Sequence, residues 1–149
     1  LDDLQKKKVL DVVERELLTP RGLRTLSPKN LKYKGVYRGN IQQRDEAYHQ
    51  GSAMPWLLGH FAEAYLRVYG KSGVSVIKNL YAAFEPEMQE YGIGSISELF
   101  DGDPPHNPSG AISMATAVAE LLRIDQMINN MYSAKKNSVP CCKMDIGSK

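Results

Sequence analysis

Two stretches of this chain, residues 20–51 and 91–110, interrupt the helical periodicity found on either side of them. The first carries Pro20, Gly22, Pro28, Gly35, Gly39 and Gly51, with Tyr33, Tyr37 and Tyr48 between them. The second reads YGIGSISELFDGDPPHNPSG. Continuous helix is excluded there, because proline removes a backbone donor and glycine adds backbone entropy. An irregular segment as long as the first, inside a small domain, is usually functional or else a misassigned element. The expected plan is a helical scaffold presenting two loops.

The scaffold reads as four helices. Asp2 to Leu18 places Val9, Val12, Val13 and Leu17 at helical spacing, and Thr19-Pro20 ends it. A second helix spans about Pro55 to Tyr69, with Ser52 as its cap, and is stopped by Gly70. Its stripe is Leu57, Leu58, Phe61, Tyr65 and Leu66. A third opens at Ser72 or Ser75, carries Val76, Ile77, Leu80, Tyr81 and Phe84, and breaks at Pro86. The last covers about Ala111 to Met131, with Ala115, Val118, Leu121, Leu122, Ile128 and Met131 inward. There is almost no strand signal and no internal repeat.

At 149 residues, 42% hydrophobic and 24% charged, the chain reads as one ordinary globular domain. The division expected is a helical domain over 1–133 and a loose tail over 134–149. Ala53 to Ala62, the longest nearly apolar stretch, is broken by Pro55 and His60 and falls short of the roughly 20 residues of a membrane span. No leader pattern is visible. The chain does not begin with Met, so a processed product, a fragment or a missing start is expected. Residues 1–45 hold 11 Lys and Arg against 6 Asp and Glu, for a net +5, and the rest carries −3. These basic residues are dispersed among acids, which fits a solvated face and argues against a nucleic-acid partner. Cys141 and Cys142 are adjacent and cannot form a disulfide framework. With His49, His60 and His106 showing no ligand spacing, no metal site is expected. The default setting is cytoplasmic.

The chemistry sits at the loop ends. Arg44, Asp45, Tyr48, His49, Gln50 and Trp56 gather just before a helix, and Glu98, Asp101, Asp103 and His106 gather in the second loop. Carboxylates, amides, an imidazole and aromatic faces suit a sugar pocket, where polar forks bind hydroxyls and rings stack on a pyranose face. A carboxylate can activate water for glycoside hydrolysis when a second carboxyl group serves as acid. Each residue also has a structural alternative. Arg44 and Asp45 could form a surface ion pair, His49 could be a satisfied structural histidine and Trp56 a core residue. Glu98 could cap a helix, and Asp101-Gly102 could be a plain turn.

Residues 19–67 (TPRGLRTLSPKNLKYKGVYRGNIQQRDEAYHQGSAMPWLLGHFAEAYLR), 94–110 (GSISELFDGDPPHNPSG) and 117–123 (AVAELLR) together resemble the C-terminal domain of glycogen debranching enzymes, the amylo-α-1,6-glucosidase domain. The resemblance implies an all-α fold, with helical hairpins corresponding to the last third of an (α/α)6 barrel. It implies inverting hydrolysis of α-1,6-linked glucose at glycogen branch points. Glu98 in S-I-S-E aligns with the general base. Arg44, Asp45, His49, Gln50, Trp56 and Asp101 would contact the sugar. Glycogen or an α-glucan oligosaccharide is the expected partner, with no cofactor and no membrane.

The sequence also departs from that family. Ser52, Ala53 and Met54 replace Thr, Val and Trp, while Ala111, Met114 and Thr116 stand where the family has Cys, Gln and Trp. The family's general acid, an aspartate far upstream, has no counterpart here, and Asp101 and Asp103 are poor substitutes because they share the loop of Glu98. The isolated chain is therefore expected to be inactive, working as a homo-oligomer or with a partner chain that completes the barrel. The alternative is a non-catalytic helical module for assembly or weak glucan binding.

Overall fold

The computed structural model describes residues 1–133. The expected tail, 134–149, with Cys141 and Cys142, lies outside the described residues.

Helix α1 runs Asp3–Glu16. Asp2 starts it with a capping box: its carboxylate accepts from the Gln5 N–H at 2.7 Å, and the Gln5 side chain accepts from the Asp2 N–H at 3.0 Å. The buried face is not the expected stripe. Leu10 is buried with Val13 and Leu17 beside it, whereas Val9 and Val12 are exposed. Leu10, Val13 and Leu17 lie three and four residues apart, one turn above another.

Strands β1 (Leu18–Thr19) and β2 (Gly22–Arg24) form a hairpin, and α2 (Ile41–Gln50) follows a loop. Strand β3 (Ala53–Met54) leads into α3 (Leu57–Tyr69), and Gly70 at φ +56° turns the chain into a 3-10 segment, Gly70–Gly73. Then come α4 (Val74–Ala82) and α5 (Glu87–Glu90), separated by a turn at Pro86. Strands β4 (Leu99–Phe100) and β5 (Pro108–Ser109) precede α6 (Ala115–Ser133). The five strands form one antiparallel sheet in the order β1-β2-β3-β4-β5.

The all-α expectation, and with it the assignment to helical hairpins from the last third of an (α/α)6 barrel, is therefore corrected: the fold is mixed, helices packed with a five-stranded antiparallel sheet. The strands are two or three residues long, too short to register as alternating hydrophobicity. The β2–β3 and β3–β4 pairings join segments far apart in sequence, as Ala53 with Phe100.

Helices α3 and α4 pack on α6, and α1 packs on α3. Leu58, Phe61, Leu66, Ile77, Leu121 and Ile124 form the centre of the core. Phe84, after α4, meets Phe100 of β4 edge-on at 6.3 Å, with both rings fully buried, which joins helices to sheet. The Arg21 guanidinium lies about 6 Å from both rings, donates to the Ala83 carbonyl and pairs with Glu87 at 2.7 Å. Ser52 is not the cap of α3. It is buried, with its hydroxyl donating to the Ala47 carbonyl at 3.0 Å.

Candidate active site

Strands β3 and β4 run antiparallel about the Ala53–Phe100 pair. The chain leaving β3 toward Trp56 therefore passes the chain entering β4 at Glu98. Tyr48 reaches the same point from α2. A cleft of about 440 Å³ opens there, lined by Tyr48, Trp56 and Glu98 on one side and by Met114, Thr116, Ala119 and Glu120, ahead of and along α6, on the other.

Glu98 is held at both oxygens. The Tyr48 hydroxyl donates to Oε1 at 3.0 Å, and the Ala111 N–H donates to Oε2 at 2.9 Å. The Glu98 N–H donates to the Ala111 carbonyl at 2.9 Å, which fixes its backbone as well. Position 110 must be glycine: its φ is +74°, and a Cβ there would stand 2.6 Å from Glu98 Oε2. Burial, and then the hydrogen bond to Glu98, push the Tyr48 phenol above its ordinary value, so it stays a donor through the neutral range.

Trp56 shows 39% of its surface and meets His60 edge-on at 5.9 Å, leaving indole surface open in the cleft. His49 is exposed and touches the Tyr48 ring edge-on at 5.0 Å. Arg44 is exposed, donates to the Gly39 carbonyl at 3.0 Å and faces a second, more open cleft of about 650 Å³ with Tyr37, Arg38 and Tyr91. Tyr37 meets Tyr48 edge-on at 6.5 Å, and Gly110 lines the second cleft, so the two clefts flank Glu98. Asp45 lies on the exposed face of α2. The half-buried Gln50 accepts a backbone bond from Lys34 at 2.7 Å.

Asp101 is 2% exposed and does not line the first cleft. Its carboxylate accepts from the Tyr37 N–H at 2.8 Å and from the Asn107 side chain at 3.1 Å. Next to it, Asp103 accepts from the Tyr33 hydroxyl at 2.8 Å, and the Gly102 carbonyl accepts from Arg24 at 2.9 Å. Thr25 closes the network. Its hydroxyl donates to the Tyr48 carbonyl at 3.1 Å and accepts from the Gly51 N–H at 2.9 Å. The two irregular stretches are thus bonded to each other beneath the cleft, so Tyr48 and Glu98 are held on a common support.

Of the expected sugar contacts, Glu98 and Trp56 meet in one cleft, with His49 adjoining through Tyr48. Arg44 faces the neighbouring cleft, and Asp101 braces the loops. Glu120 was not singled out from sequence. Its available signal was position: on a helix it shares a face with Thr116, one turn earlier.

Among the described residues, no group of three or more His, Cys, Asp or Glu could hold a metal ion. No described helix is long and apolar enough to cross a membrane.

A doubly held carboxylate in a cleft beside an open indole face is an arrangement suited to acting on carbohydrate, and the domain is of the glycoside hydrolase type. The family model for amylo-alpha-1,6-glucosidase matches residues 1–123, and the chain belongs to that family.

Proposed function

We propose that this chain supplies the water-activating side of an inverting α-1,6-glucosidase site that removes single glucose residues from glycogen branch points. Glu98 is the general base. The observation that carries this assignment is its carboxylate, oriented by Tyr48 and Ala111 in a cleft shared with Trp56. With one lone pair on each oxygen engaged, the others remain to accept a water proton. Trp56 offers an apolar surface to the pyranose. In this reading His49 adjoins the glucose through Tyr48, Arg44 meets the continuing glucan in the neighbouring cleft, Asp45 and Gln50 of the same helix serve as further sugar contacts, and Asp101 keeps the Tyr37 loop in place. No cofactor takes part, and the setting is cytoplasmic.

Inversion needs an acid roughly 6.5–9.5 Å from the base. Asp101 and Asp103 are engaged in the loop network, and Glu120 is paired with Arg123. We assign the acid to protein outside these residues, in a longer chain or a partner subunit. The isolated chain then binds the glucan but does not cleave it.

Calorimetric titration with a branched oligosaccharide ending in one α-1,6-linked glucose tests the proposal. Binding by the parent chain, lost in a Glu98→Gln, His49→Ala double variant, is the expected result. Equal binding by parent and variant would reject the site.

A further inference from the structure

Glu120 lies on α6, in the same cleft as Glu98 and Trp56. Arg123 Nε donates to its Oε2 at 2.9 Å, and Nη2 lies 2.8 Å from the same oxygen as an ion pair without forming a hydrogen bond. Arg123 is itself anchored through Nη1 to Glu63 Oε2 at 2.8 Å, and its already high pKa is raised further by its hydrogen bonds to Glu63 and Glu120. Gly59 of α3 makes room for the group: a Cβ there would stand 1.8 Å from Glu120 Oε2. Oε1 has no partner among the described residues. One oxygen is therefore fixed by residues of two helices, while the other is unpaired among the described residues, on a side chain that lines the cleft.

We infer that Glu120 is a substrate-binding residue, whose Oε1 accepts a hydrogen bond from a hydroxyl of the glucose unit seated against Trp56. The inference rests on the proposed glucosidase site. A carboxylate acceptor forms a charge-assisted bond stronger than that of a neutral amide. Arg123 occupies Oε2, so Oε1 is the oxygen left to accept from a sugar hydroxyl. Arg123 and Gly59 are positioning residues, acting through Glu120.

Trp56 is the single tryptophan of the chain, so its fluorescence reports occupancy of the cleft. The full chain is titrated with the same branched oligosaccharide and with analogues lacking one hydroxyl of the terminal glucose. Glu120→Gln is expected to weaken binding about tenfold, and Gly59→Ala to do likewise by displacing the carboxylate. One deoxy analogue should bind parent and Glu120→Gln equally, which a merely structural ion pair would not produce. Circular dichroism verifies that the variants remain folded. If Glu120→Gln binds like the parent, or if it weakens every analogue equally, the role of Glu120 is overturned while the glucosidase site stands. If the parent gives no response to any of these sugars, both fail together.

Discussion

Asp101 offers a quantitative test of how the loops are held. Its carboxylate is 2% exposed and accepts two bonds, from the Tyr37 N–H at 2.8 Å and the Asn107 amide at 3.1 Å. A hydrogen bond to a charged group contributes about 1.5–3 kcal/mol. Asp101→Ala removes both and leaves two donors without their acceptor, so a loss of about 3–5 kcal/mol is expected. Asp101→Asn can keep both bonds if Asn107 turns its amide to accept from the new NH2 group. That variant loses only charge assistance, about 1–2 kcal/mol. Urea unfolding followed by circular dichroism measures both. With a slope of about 2 kcal/mol per molar, the alanine midpoint falls by about 2 M and the asparagine midpoint by less than 1 M. Two variants within about 0.5 kcal/mol of the parent, the range of an ordinary surface change, would refute this account of the loop network.

Other expectations follow from the core and from two titrating groups. Phe84→Ala, which empties the fully buried contact with Phe100, should cost about 3–5 kcal/mol and lower the melting temperature by about 10 °C or more in a calorimetric scan. The hydrogen bond from Lys29, and then that from Ser27, hold the Glu16 carboxyl at about 2, below its ordinary value of 4.5. Its contribution to stability is present above about 4.5 and is lost as pH falls toward about 2, so Glu16→Gln should flatten the unfolding midpoint across that window. Burial, and then the bond to Asp103, push the Tyr33 phenol up to about 12. The folded state keeps this proton while the unfolded chain loses it near 10, so stability falls as pH rises from about 10 to about 12. Ultraviolet titration of parent against Tyr33→Phe isolates that proton, and Asp103→Asn should move it back toward 10.

The helices that bury a broad apolar face were legible in the sequence. Leu58, Phe61 and Leu66 mark α3, and its end at Gly70 is where glycine was expected to stop it. Helix α2 was missed because it buries Ala47 alone, which leaves no stripe. Its signal was the capping box of Asn40 and Gln43, bonded to each other's backbone at 2.9 Å in both directions. On α6 Leu121 and Ile128 are buried as expected, but Leu122 is 65% exposed, whereas Ala117 and Ile124, not in the expected set, are fully buried. Tertiary packing chose the face, and alanine at 117 marks the tight crossing more than bulk does. The sheet was invisible because its strands are only two or three residues long and its β2–β3 and β3–β4 pairings join distant segments. At the site, Glu98 and Trp56 were found through motif resemblance. The engagement of Asp101 with Tyr37, 64 positions away, has no local signature.

The central claim is that Glu98 and Trp56 line one sugar-binding cleft, and amide NMR of the full chain tests it directly. The Ala111 N–H donates to Glu98 Oε2, and the Trp56 indole N–H reports the tryptophan on the same side of the cleft. Adding the branched oligosaccharide should shift both resonances together, with a common affinity, and neither should move in the Glu98→Gln, His49→Ala variant. Shifts confined to Arg38, Arg44 and Tyr91 in the neighbouring cleft, or none at Ala111 and Trp56, would contradict the account.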